Sequence, residues 1–125
     1  MTDKMNRVVW AEIPVTDLVA GADYFAAVLQ AKVEMVDMGP DKTAVISYDG
    51  TPASSAHLYV GKPAAAGTGP TIHLATPDDL NAVMERVTAN GGTVVSPVID
   101  IPVGQFCYST DPDGHSIGLY KVALS

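Results

Sequence analysis

The order of elements repeats itself along this chain, and that repeat narrows the folds open to it more than any other feature. Val8–Ile13 reads as a strand that Pro14 closes, because proline lacks the N–H that a ladder needs. Thr16 and Asp17 offer helix caps. Leu18, Ala22, Phe25, Val28 and Leu29 then recur on one face of a helix that runs to Gln30. Lys32–Met38 alternates as a strand does, and Gly39-Pro40-Asp41 has turn chemistry. Thr43–Tyr48 and Ala56–Val60 read as two more strands around the turn-rich Asp49–Ser55. After a Gly, Ala and Pro-rich linker at 61–70 the same order returns. Thr71–Thr76 is a strand, and Pro77-Asp78-Asp79 opens a helix whose stripe is Leu80, Val83, Met84 and Val87. Asn90-Gly91-Gly92 stops that helix, and Thr93–Val98, Gln105–Thr110 and Ser116–Lys121 follow as strands. Asp111-Pro112-Asp113-Gly114 joins the last two with the residues of a type I turn. The expected fold is α+β: two tandem βαβββ units, with a generic α+β sandwich of eight strands and two helices as the alternative that the pattern alone leaves open. Unit one covers about 7–61 and unit two about 71–122, within one domain spanning 1–125.

Composition bounds the partners. A chain of 125 residues with 47% hydrophobic content is one domain in size and has enough apolar surface for a core. Only 17% of residues are charged, against about 25% in ordinary domains. That deficit points to a surface covered by a partner. Fourteen acids against seven bases leave a formal charge of −7 with no basic cluster, which argues against nucleic acid and anionic membrane as partners. Cys107 is the only cysteine, which excludes a disulfide within the chain and fits a reducing cytoplasm. Met1 to Arg7 is polar with no apolar run behind it, so no signal peptide is expected. No apolar run approaches the ~20 residues of a membrane span.

Three segments carry a family resemblance: Val9-Trp10-Ala11-Glu12-Ile13-Pro14-Val15-Thr16-Asp17-Leu18 with Ala22 to Leu29, then Asp78–Val87 with Asn90-Gly91-Gly92, then Phe106–Tyr120 around the Asp111–Gly114 turn. In these the chain resembles the vicinal oxygen chelate superfamily of glyoxalase I, bleomycin-resistance proteins and extradiol dioxygenases. It is most similar to the small glyoxalase-like proteins of bacteria. The resemblance implies two incurved sheets that make a cupped site. Where a metal is used, four His or Glu ligands come from the first and last strand of each unit. It also implies a dimer.

Carried over residue by residue, the ligand positions fall on Trp10, His57, Ile72 and Gly118. Counting Pro77 as an insertion moves the third to Thr71, with His73 on the same strand face. An indole cannot ligate, and of the four only His57 can. Neighbours offer a substitute set: Glu12 lies two residues beyond Trp10, and Glu12, His57 and His73 would form an open three-ligand site for Ni, Co, Zn, Mn or Fe. The ordinary alternative is an acid on a half-exposed strand and two histidines in a polar cavity, with no resident metal or cofactor. An aromatic residue in place of a ligand turns the cup into an apolar platform, so Trp10, His57, His73, Tyr108 and Tyr120 are the expected ligand contacts. Glu12 is the candidate catalytic acid or base. Tyr24 is expected in packing, Cys107 as a structural thiol, and His115 as a solvated turn residue.

Two functions follow from the resemblance. One is a metal-free binder of a small organic molecule, of the bleomycin-resistance kind. The other is a divalent-metal-dependent lyase or isomerase of the glyoxalase kind, using Glu12 and His57.

Overall fold

The computed structural model describes residues 7–38, 41–47 and 55–122. The expectations for Gly39-Pro40, Tyr48 and most of Asp49–Ser55 lie outside the described residues. The first unit runs β1 (Trp10–Val15), α1 (Leu18–Leu29), β2 (Val33–Met38), β3 (Asp41–Ile46) and β4 (Ser55–Val60). The second runs β5 (Ile72–Ala75), α2 (Leu80–Ala89), β6 (Thr93–Val94), β7 (Ile99–Ile101), β8 (Gly104–Thr110) and β9 (Ser116–Val122). One sheet has the order β1-β4-β3-β2 and the other β5-β9-β8-β6, with β7 also on β8. In each sheet the first strand pairs in parallel with the last, Glu12 opposite His57 and His73 opposite Gly118, and every other pairing is antiparallel.

Two departures have local causes. Pro14 lies inside β1 rather than ending it, because β1 is an edge strand with a free side for the position that cannot donate. The single strand expected over Thr93–Val98 is instead β6, a break at Ser96-Pro97, and the additional strand β7. Val95 N–H still reaches the Tyr108 carbonyl at 2.9 Å, and Ser96 Oγ accepts Tyr108 N–H at 2.9 Å. The proline then has no amide hydrogen to continue the ladder.

Both helices lie on one face of their sheets. Asp17 caps α1 by accepting Ala20 N–H at 2.9 Å, and Gln30 ends it in the left-handed conformation (φ 52°). At α2, Asp79 occupies the cap position without a side-chain bond, while Asp78 takes both guanidinium nitrogens of Arg86 at 2.8 Å. That fork holds the Asp78 carboxyl below the usual carboxylate range. Arg86 Nε also donates to the Val28 carbonyl at 3.2 Å, which ties α2 to α1. One apolar cluster joins the halves: Ile13, Phe25, Val28 and Leu58 belong to it with Leu80, Val83, Val87, Ile117 and Leu119. Alternation puts the other strand positions on a helix-free face of each sheet.

The halves also meet at the β8–β9 turn. Asp113 accepts the Thr16 N–H at 3.1 Å and its hydroxyl at 2.8 Å, and Gly67 N–H donates to the Gly114 carbonyl at 2.9 Å. Close by, Tyr24 is buried edge-on to Phe25 (5.2 Å, 87°), and any Cβ at Gly92 would collide with its hydroxyl. Burial, and after it the Asp111 carboxylate, push the Tyr24 phenol well above the usual tyrosine range. A value raised in the folded state means the native protein keeps a proton that the unfolded chain releases near pH ~10. The contribution is therefore intact below that pH and is lost as pH climbs above it. In an alkaline absorbance titration Tyr24 should ionise only together with loss of the near-ultraviolet circular dichroism. Ionisation of all five tyrosines with that signal intact would contradict the packing.

Candidate functional site

The helix-free face of the first sheet carries Trp10 and Glu12 from β1, His57 and Tyr59 from β4, and Val45 from β3 opposite His57. Parallel register sets Glu12 directly beside His57. Trp10 Nε1–H donates to His57 Nδ1 at 2.8 Å, and His57 Nε2 lies 3.5 Å from Glu12 Oε1. The imidazole is 11% exposed and the carboxylate 68%. The Tyr59 ring stands at 65° to the imidazole, 6.2 Å away. An indole N–H only donates, so Nδ1 must accept. The neutral imidazole then carries its proton on Nε2, aimed at the carboxylate.

The second sheet is built differently. His73 on β5, Gly118 and Tyr120 on β9, and Phe106 and Tyr108 on β8 share its helix-free face. The His73 ring lies over Gly118, where a Cβ would collide with Nδ1, Cγ and Cε1. Its neighbours are Phe106 at 5.2 Å and 86°, Tyr108 at 5.9 Å and 60°, and Tyr120 at 6.2 Å and 89°. Edge-to-face angles are what aromatic quadrupoles favour, so the four rings make one continuous surface. Gly118 is thus the space that an imidazole from the next strand fills. Phe106 is absent from the sequence-based set of contacts. Its signal was the two-residue spacing to Tyr108, which puts both rings on one face.

His73 therefore stands apart from Glu12 and His57. Among the described residues, no three His, Cys, Asp or Glu side chains come together in a way that could hold a metal ion. A cleft of about 740 Å³ opens between β1, the end of α1 and β5, lined by Ala11, Leu29, Ile46, Ile72 and Leu74, with His73 at its wall. Lys42 and Lys121 alternate onto the opposite faces from His57 and Tyr120, so these two strand lysines are turned from the ring surfaces.

His115 is not a solvated turn residue. Its ring is 14% exposed, with Nδ1 2.8 Å from Oδ2 of the buried Asp111, and its buried Nε2 has no hydrogen-bond partner among the described residues. Cys107 is buried in the core, and burial pushes its thiol up, away from the reactive thiolate form. No described helix is long and apolar enough to cross a membrane.

Comparison with known proteins agrees with the element order. The chain is 28% identical over 127 aligned residues to a glyoxylase-like domain-containing protein of Didymella fabae, covering 85% of this chain and 88% of that one. A 45-residue stretch is 40% identical to CFP32 of Mycobacterium bovis and Mycobacterium tuberculosis, proteins that carry a glyoxylase name; it spans 35% of this chain and only 17% of theirs. Among solved structures, hypothetical protein SA1046 of S. aureus superposes with a TM-score of 0.71 at 19% identity, covering 94% of this chain and 95% of that one. A glyoxalase/bleomycin resistance protein of Albidiferax ferrireducens T118 gives 0.69 at 22% identity, covering 91% and 97%. These two likenesses establish the fold. Residues 6–119 match the model of one family, and the chain belongs to it: the Glyoxalase/Bleomycin resistance protein/Dioxygenase superfamily.

Proposed function

We propose that this chain binds a small, flat organic molecule on the ring-bearing faces of its sheets, without a resident metal, and that it works as a homodimer. The observation that carries this reading is the bond from Trp10 to His57. A metal needs an imidazole lone pair, and both nitrogens are committed: Nδ1 accepts the indole proton and Nε2 bears its own. The other expected ligand positions hold Trp10, Ile72 (or Thr71) and Gly118, and Gly118 is overlaid by His73. These residues do not fit a divalent ion. They do fit a planar ligand, because rings line both faces and aromatic contact areas are large. The exposed Val8 and Val9 of the first unit, outside the ring-bearing faces, are the surface that a second copy would cover.

One observation favours a second reading. The Glu12 carboxylate, exposed and 3.5 Å from an imidazole, is placed to move a proton in a lyase or isomerase. A thermal-shift titration with Ni, Co, Zn and Mn separates the two. A ligand of the native state at 100 times its dissociation constant adds ~2.7 kcal/mol, several degrees for a domain of this size. The binder reading expects no such shift. A rise of that size with one ion, reversed by chelator, would overturn it.

A further inference from the structure

The Glu12–His57 pair is too far apart to satisfy itself. At 3.5 Å its atoms lie beyond the usual N–H···O distance of about 2.7–3.2 Å. Trp10 decides what the pair can recognise. By occupying Nδ1 it leaves Nε2–H as a donor, fixed by the buried ring, while Glu12 Oε1 beside it is an acceptor on a side chain open to solvent. A donor and an acceptor standing side by side match a ligand edge that carries an acceptor next to a donor. In a flat heterocycle that edge is a lactam or imide, C=O beside N–H. The carbonyl would take the His57 Nε2–H and the ring N–H would donate to Glu12, as two parallel bonds.

The surroundings agree with a neutral ring. Trp10 lies 6.1 Å from the imidazole and Tyr59 6.2 Å, giving apolar flanks. Lys42, the lysine of the neighbouring β3, alternates onto the other face, and Lys32 is engaged by Glu34 at 2.7 Å, so a phosphate or carboxylate would meet Glu12 with neither lysine to offset it.

We infer that Glu12 and His57 together read the lactam or imide edge of a flat heterocycle, and that Trp10 is a positioning residue that sets which imidazole nitrogen bears the proton. The inference rests on the metal-free reading above and names its ligand class. The probes are 2-quinolone and N-methyl-2-quinolone, which differ only in the ring N–H. Trp10 is the single tryptophan, so one indole N–H resonance in ¹⁵N-labelled protein reports binding. The expected result is a saturable shift with 2-quinolone and an affinity at least about tenfold weaker for the N-methyl compound, the effect of one hydrogen bond to a charged group. Glu12→Ala, at an exposed side chain, should erase that preference. Trp10→Phe, followed by calorimetry, should also collapse the ratio between the probes, which a merely structural role would leave intact. Equal affinity for the two probes, or no saturable shift with 2-quinolone, overturns the inference. The metal titration decides separately whether the reading beneath it stands.

Discussion

Asp111→Ala is expected to lower the stability of the fold by about 3–5 kcal/mol and its melting temperature by about 10–20 °C. The carboxylate is 5% exposed. Oδ1 accepts the N–H of Asp113 at 3.1 Å and of His115 at 2.8 Å, while Oδ2 faces His115 Nδ1 at 2.8 Å. Alanine leaves these donors without their acceptor, beside an imidazole whose buried Nε2 has no partner among the described residues. Hydrogen bonds to a charged group contribute ~1.5–3 kcal/mol each, and burial keeps water from replacing them. The turn that would loosen also holds Asp113 against Thr16, so the joint between the halves weakens with it. Asp111→Asn retains one acceptor oxygen and should lose about half as much. Urea denaturation of both variants measures this, and a loss below ~1 kcal/mol for alanine would refute the role given to Asp111.

Phe25→Ala is the second large effect, at about 3–5 kcal/mol, because a side chain 1% exposed leaves a cavity that its neighbours fill only in part. The manner of unfolding matters as much as the amount. Phe25 belongs to a cluster that includes Leu80, Val83, Ile117 and Leu119 of the other half. A shared core predicts one transition, moved to lower urea with its slope unchanged. Two separated transitions, one at the original midpoint, would mean that each half keeps a core of its own.

The parts of the fold legible in the sequence are those fixed by neighbours along the chain. The stripes of α1 and α2 announce their buried faces, the Asp17 cap is local, and Asp111-Pro112-Asp113-Gly114 prescribes its turn. The break at Ser96-Pro97 was written there too, although a proline beside β-branched residues reads equally well as the rim of a longer strand. The illegible parts depend on residues brought together from afar. Trp10 and His57 are 47 positions apart, and nothing near either one announces that an indole will take Nδ1. Gly118 reads as an empty ligand position, and only the parallel register with β5 shows that His73 fills it. His115 follows a turn, where exposure is the ordinary expectation. Its burial comes from Asp111, four residues earlier, being inside as well.

The parallel pairing of first strand with last has a consequence for the order of folding. β1 cannot find its neighbour until β4 exists, and β5 waits for β9, with a helix and further strands between. During synthesis Trp10–Val15 therefore stays unpaired until Ser55–Val60 has left the ribosome, and Ile72–Ala75 until Ser116–Val122 has. Such non-local closure places the chain among domains that fold in milliseconds or longer rather than microseconds. For that interval β1 exposes backbone donors and acceptors on both sides, and an unpaired apolar strand is a template for the wrong neighbour. Pro14 removes one of those donors from β1.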